Sequence, residues 1–467
     1  MAGGSVVVSP SRCPSLEDLH LASQGARVVV EHSVYSLLDE ARAVYLREAE
    51  RRSVYGYCTG LGDLYSAKAR CGPGFEERVL REHAAGAGPY APEWMARAFL
   101  YARLSQLARG RAPVRGVVAG RIAEALNHGV VPAIPLYGSV GASGDLAPSA
   151  HAFLCTHLGI GYALSGGGLE PCRDALARAG LEPLALEPGE ALALINNTAW
   201  STALAGLGVY YSLHLLGESL EAAGESLGVT GCNPEHFSSG LLEARPLLDR
   251  DTMVEGCSGD RLQDPYSIRC IPQVYSAVKA ALAHARGMVE AELCSSTENP
   301  LVAGGRVIHS CSFHSIAAGL AADYAGLALA SLANMVERRI AQLMRSSITG
   351  LPEYLAGEDS SVGAMIIQYT AASLAARVRR LAQPSTVHNI PTSGLQEDIV
   401  PMSPDSGLKL LSIVDALAWL VAAERLVTNI ARGVEGLDDP SGGLRRYHSM
   451  ISRRLGLPSL GDAVLQG

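Results

Sequence analysis

Residues 191–217 read ALALINNTAWSTALAGLGVYYSLHLLG, a stretch with no charged side chain. It is long enough to cross a bilayer. Asn196, Asn197, Thr198, Ser201, Thr202 and His214 interrupt it, and small residues recur throughout. That composition suits a helix wrapped by other helices better than one facing lipid, so no membrane span is expected. Runs 198–227, 273–294, 317–344, 363–383 and 406–437 are free of proline and rich in Ala and Leu. Helices of that length pack side by side as a bundle. Their apolar residues cover more than one stripe, as in AADYAGLALASLANMVERRIAQLM, so the bundle is expected to continue into other subunits.

Strand signals are few, short runs such as RVVV and GRVIH. The fold class expected is therefore mainly α. Residues 1–195 form a loop-rich part punctuated by YGYCTGLG, HAAGAGPY and LARGRAPVRG, and residues 196–467 form the long-helix bundle and a C-terminal helical part of one intertwined subunit. LSGGG at 164–168 is expected to be a turn joining two helices.

Composition removes several function classes. With 46 acidic against 38 basic residues the chain has no basic excess to meet phosphates, which argues against a nucleic-acid partner. The first twenty residues lack a basic region followed by an apolar run, and the ten cysteines include no C-x-x-C. Neither a signal peptide, a zinc ribbon nor a compact disulfide scaffold is indicated, so reduced, buried thiols and cytoplasmic residence are expected. His151 and His157 are six apart and His309 and His314 five apart, so neither pair makes the i, i+4 face of a metal site. They read as hydrogen-bonded helix or loop residues, and ERR at 337–339 as a solvated or interfacial charge cluster. No Walker loop occurs.

The chemistry concentrates in GSVGASGDLAPSAH, 138–151. Gly141, Ala142 and Ser143 begin a G-x-S-x-G elbow, but Asp145 stands where the last glycine belongs, and only the proline-broken VVPAIPLYGSV precedes it. A hydrolase nucleophile is disfavoured. A different use fits Ala142 and Gly144. The Gly144 amide nitrogen can attack the Ala142 carbonyl carbon, because glycine has no Cβ to obstruct the approach. Loss of two waters, one of them the serine hydroxyl, then leaves an exocyclic methylidene, an electrophile made from the chain itself.

GASGDLAPSAH closely resembles the signature of the aromatic amino acid ammonia-lyases and aminomutases, in which Ala-Ser-Gly becomes a methylidene-imidazolone (MIO) group. The likeness runs along nearly the whole chain. VYGYCTGLG is similar to Y-G-x-N-T-G-F-G, HAAGAG to H-A-A-G-x-G, and ALALINNT to L-A-L-I-N-G-T. LQDPYSIRCIPQV, ENPLV, VERRIAQLM and IPTSGLQEDIV resemble further family motifs in the expected order.

The resemblance implies an MIO from Ala142, Ser143 and Gly144, no external cofactor, no metal, and a homotetramer whose active sites draw on more than one subunit. It implies Tyr55 as the base that removes the β proton, and Tyr266, a polar wall accompanying Arg269, as a further catalytic residue. Arg269 matches the arginine that grips the substrate carboxylate, a task suited to a planar two-pronged donor. Asn196 lies beside the electrophile in the family, Gln263 forms a polar wall, and Phe313 sits in an SFH similar to G-N-F-H-G.

Glu82 and His83 occupy the positions that meet the substrate side chain, where histidine enzymes of the family have Ser-His. His83, Met365 and Glu397 match residues expected around an imidazole, whose N–H a carboxylate can accept. The resemblance therefore implies elimination of ammonia from L-histidine to give trans-urocanate. The same motifs also accommodate an aminomutase acting on histidine, a phenylalanine or tyrosine lyase, and a catalytically silent scaffold. Departures from the family pattern are Glu82, Cys58, Asn197, Ser312, Ser315 and Ile399.

Overall fold

A computed structural model describes residues 4–66 and 72–458. Five long helices form where the proline-free runs place them: Ala199–Thr230, Ile271–Leu293, Ile316–Leu343, Met365–Leu381 and Ser403–Ala431. The last of these ends six residues before the run does. Gly433 turns into the left-handed region at φ +68° and the Val434 N–H returns to the Asn429 carbonyl at 2.9 Å, closing the helix C-terminus. A further helix, Pro440–Leu455, starts with proline in its first turn and Asp439 capping the Gly442 N–H at 2.8 Å.

The helices Ala199–Thr230, Ile316–Leu343 and Ser403–Ala431 pack against one another, with Ile271–Leu293 and Met365–Leu381 alongside. Every residue from Ala191 to Val209 is buried, so the uncharged stretch is the centre of the molecule. Small residues set the spacing there. A Cβ on Gly208 would lie 2.6 Å from Leu410 Cδ2, and one on Gly407 2.6 Å from Leu204 Cβ. Ile316–Leu343 alone among the described helices is long and apolar enough to cross a membrane, with 56% of its most apolar window buried inside the bundle.

Three expectations from sequence change. The charge cluster at 337–339 is solvated only at Arg338, since Glu337 is buried and Arg339 is fully buried against Glu424 at 2.6 Å and the Tyr275 hydroxyl at 2.9 Å. A central helix leaves that guanidinium no route to water, and a buried charge persists only when paired. LSGGG joins two strands instead of two helices: Tyr162–Ser165 and Gly168–Pro171 pair antiparallel, with Gly166 and Gly167 at φ +56° and +84° in the turn. Cysteines are largely oxidised. Cys13–Cys294, Cys155–Cys172 and Cys232–Cys257 are disulfides and Cys58 is disulfide-bonded, whereas Cys270 and Cys311 are free. Partners as far apart as 281 residues meet only through the fold, so local cysteine spacing carried no sign of them.

Helices joined by loops and short strands make up most of the described residues from 4 to 195, among them His32–Arg51, Glu93–Leu107 and Leu146–Leu158. RVVV is the strand Arg27–Val30, parallel to Ser5–Val8, and RVI of GRVIH is Arg306–Ile308, paired with Leu301–Ala303. VVPAIPLYGSV also yields short strands, Val131–Pro132 and Pro135–Tyr137, despite its prolines. One hydrophobic cluster runs from Val6 to Leu457 through both parts of the chain.

Candidate active site

The loop carrying Ser143 is held where four helices begin. Leu146–Leu158 starts just after it, and its N-cap Asp145 is fully buried. That carboxylate accepts the Ser201 N–H at 2.8 Å, the Ser201 hydroxyl at 2.9 Å and the Ser139 hydroxyl at 2.8 Å. Burial nevertheless outweighs these donors and pushes its pKa up to about 6. The Asp145 N–H in turn donates to the Asn197 carbonyl at 2.6 Å. Ser315, preceding Ile316–Leu343, donates its N–H and its hydroxyl to the Gly141 carbonyl, and the N–H of Met402, preceding Ser403–Ala431, donates to Val140. Helix N-termini carry partial positive charge, so the loop sits in an electropositive cradle.

Within that clamp the two atoms that would join are free. Among the described residues neither the Ala142 carbonyl oxygen nor the Gly144 N–H makes a hydrogen bond. Gly144 takes φ +77°, and a Cβ there would lie 2.3 Å from the Asn197 carbonyl oxygen. The Ser143 carbonyl accepts a hydrogen bond from Asn196 Nδ2 at 2.7 Å, and the Ser143 hydroxyl donates to Glu397. Asn196 Oδ1 is buried without a partner beside them.

Ser143 opens on a cavity of about 840 Å³ lined by Tyr55, Ala142, His309, Phe313 and Glu397 among others. An adjoining space of about 590 Å³ shares Tyr55, Ser143 and Glu397 and adds Glu82, His83 and Asn196. The Tyr55 hydroxyl accepts the Gly62 N–H at 2.9 Å. Burial raises its pKa, with the charge of Glu397 adding to the rise and the Gly62 N–H opposing it. His83 Nδ1 lies 2.6 Å from the Val79 carbonyl, which makes Nδ1 the protonated nitrogen and leaves Nε2 as acceptor in the neutral ring.

Tyr55, His83, Ala142, Ser143, Asn196, Phe313 and Glu397 are thus brought together, with Gly144 packed behind Ser143 on Asn197. Four others are not. Arg269 bonds Gln263 and stacks over the Tyr266 ring at 4.7 Å, in a separate cluster where Tyr266 is 71% exposed. Met365 opens the Met365–Leu381 helix, its sulfur 3.7 Å from the Tyr369 hydroxyl, and lines neither space. Sequence reasoning missed Asp145 and Ser201 as supports of the loop, and it read His309 as an ordinary hydrogen-bonded residue. A histidine outside every family motif gave no other signal.

The departures also find places. Ser315 bonds Gly141 beneath the loop, and Asn197 is buried, its side chain bonded to Ser149, Leu194 and Ala199. Cys58 takes φ +57°, a conformation asparagine tolerates well, which accounts for asparagine at that position in the resembling motif. Ser312 does not line the cavity, whereas Ile399 and Glu82 do.

This fold and loop are those of a known class. The family model described as aromatic amino acid lyase matches residues 15–453, and the chain belongs to that family. It is an enzyme of the ammonia-lyase class. A protein of Thermoplasma acidophilum named probable histidine ammonia-lyase is 35% identical over 88% of this chain and 86% of its own. The histidine ammonia-lyase of Paracidovorax citrulli is 36% identical over 92% and 88%. Among solved structures, tyrosine aminomutase from Streptomyces globisporus superposes with a TM-score of 0.86 at 29% identity, covering 96% of this chain and 92% of that one. Histidine ammonia-lyase from Trypanosoma cruzi gives 0.85 at 25% identity, covering 98% and 95%.

Proposed function

We propose that this chain is a histidine ammonia-lyase, converting L-histidine to trans-urocanate and ammonia in the cytoplasm. The observation that carries the reading is the meeting of His83 and Glu397 with Ser143 and Tyr55 around the smaller of the two adjoining spaces. An imidazole ring offers an N–H, which the Glu397 carboxylate or the free Nε2 of His83 can accept.

Ala142, Ser143 and Gly144 suit the internal MIO. The attacking nitrogen and the attacked carbonyl are free of hydrogen bonds, Gly144 has room for no Cβ, and the helix N-termini favour developing negative charge. The closed ring supplies an electrophilic carbon that draws the substrate amine and makes it a leaving group. Asn196 polarises the Ser143 carbonyl from one side. Tyr55 takes the β proton, and the Gly62 N–H favours its phenolate.

Burial and Glu397 hold the Tyr55 proton on in a single subunit, so the base needs a cation that the described lining of the cavity does not contain. Arg269, half-buried beside the exposed Tyr266 and Gln263, lies elsewhere and suits the carboxylate of a substrate bound in another subunit's cavity. Leu320, Tyr324 and Leu327 form an exposed apolar row along Ile316–Leu343, and Ile366 and Tyr369 another on Met365–Leu381. Such rows ask for a second copy, and a homotetramer with shared sites meets both needs.

The same site would serve an aminomutase if ammonia were retained and returned to the β carbon, the type of activity named for the Streptomyces globisporus structure. Product analysis by mass spectrometry with L-histidine, L-phenylalanine and L-tyrosine separates these outcomes. Ser143→Ala is expected to lose turnover while keeping the helical fold, and near-normal urocanate formation by that variant overturns the proposal.

A further inference from the structure

The segment after strand Arg306–Ile308 docks on the Tyr55 loop through two bonds. Arg52, just past the end of the His32–Arg51 helix, donates from Nη2 to the Val307 carbonyl at 2.7 Å. Two residues on, His309 Nε2 lies 3.1 Å from the backbone nitrogen of Tyr55. A backbone N–H can only donate, so Nε2 must accept, and the ring must be neutral with its proton on Nδ1. Protonation would place N–H against N–H and abolish the bond. His309 also lines the cavity with Tyr55, Ser143 and Glu397.

We propose that His309 is a positioning residue for Tyr55: its neutral imidazole fixes the Tyr55 backbone, and its protonation releases the loop and switches off turnover on the acid side. The proposal rests on the reading of Tyr55 as the base. A second tether, from Gly62 N–H to the Tyr55 hydroxyl, holds the side chain, so backbone and side chain are fixed from opposite ends of one loop. Loss of the His309 bond leaves the side-chain tether without a fixed origin, and a small displacement of a base costs heavily in rate.

The groups around His309 set when it protonates. Burial, chiefly, and the Arg52 charge lower its pKa below the ordinary imidazole value, which keeps it neutral near pH 7. Glu397 and Asp398 in the same cavity bear negative charge, and His314, Cys311 and the hydroxyls of Tyr55 and Tyr65 complete the titratable lining. His314 Nε2 is itself bonded to the Ile399 carbonyl at 3.1 Å.

The test compares kcat and KM across pH 5 to 9 for wild type, His309→Gln, His309→Leu and Tyr55→Phe, each checked by intact mass for loss of two waters. Glutamine offers an acceptor near the position of Nε2 that does not titrate. His309→Gln is expected to keep neutral-pH turnover and to lose the part of the acid-side decline that wild type shows. His309→Leu is expected to lower kcat roughly tenfold or more at every pH with little change in KM and full maturation. Wild-type kcat and pH profile in His309→Leu, or an unchanged acid limb in His309→Gln, overturns the proposal while an inactive Tyr55→Phe leaves the base in place. Undiminished turnover by Tyr55→Phe removes the base and this role of His309 together.

Discussion

Asn196 Nδ2 donates to the Ser143 carbonyl oxygen at 2.7 Å, from a position at the end of a short helix that leads into the buried Ala199–Thr230 helix. The amide therefore moves only if the core moves, and its other atom, Oδ1, is held buried and unpartnered beside the same loop.

Removing that donor leaves a carbonyl without its partner. Asn196→Ala is expected to mature, with the full two-water mass loss, and to turn over about 10- to 100-fold more slowly, from ~1–3 kcal/mol of lost stabilisation. Steady-state kinetics with intact mass checks it, and an unimpaired kcat refutes the role.

Gly144→Ala places a methyl against the backbone of Asn197, at 2.3 Å from its oxygen and 2.6 Å from its nitrogen, and forces a left-handed φ on alanine. The conformation alone costs roughly 1–2 kcal/mol. Neither neighbour is a flexible side-chain end. Loss of maturation and activity is expected by intact mass and assay, whereas Ala142→Gly, which leaves the attacking nitrogen unhindered, is expected to mature.

A site shared between subunits predicts complementation. Ser143→Ala and Arg269→Gln are each expected to be inactive alone, yet their co-expressed mixture is expected to regain activity at about a quarter of the sites, where an intact Ser143 meets an intact Arg269 from another copy. A mixture as inactive as its components shows that both residues serve from one subunit.

His157 is fully buried, its ring nitrogens 3.0 Å from the Val118 carbonyl and 3.0 Å from the Thr156 hydroxyl, and burial pushes its pKa down to about 4. Below the ordinary imidazole value the unfolded chain binds a proton that the folded chain refuses. Stability is thus full above that value and falls as pH drops toward 4, by roughly 3 kcal/mol at this site. Asp145, raised to about 6, acts oppositely, since its folded form gains a proton first as pH falls. Thermal midpoints at pH 7 and 5 are expected to differ less in His157→Asn than in wild type, and equal differences refute the assignment.

Much of this was open to inspection in the residues themselves. Helix runs such as 317–344 are local patterns, because the absence of proline and the abundance of Ala and Leu act within a few turns, and Ile316–Leu343 follows the run within one residue at each end. The Ala142-Ser143-Gly144 triplet is local too, since its proposed chemistry joins atoms two residues apart. Where the chain stops following its own neighbourhood, that kind of reading stops as well. The last long run continues to 437, yet Gly433 ends the helix early by offering the one backbone conformation that closes it.

By itself, then, the sequence determined a mainly helical chain, a buried uncharged centre and an Ala-Ser-Gly triplet whose small residues would permit cyclisation, all of them consequences of short-range sterics and apolar patterning. Only the tertiary structure decided that Glu397 meets Ser143 across 254 positions, that Arg339 is buried on Glu424, that cysteines 281 apart are joined, and that Arg269 stands away from Ser143. Contacts of that kind depend on how rigid helices pack as bodies, and no repeat or spacing along the chain encodes which of their side chains will face each other.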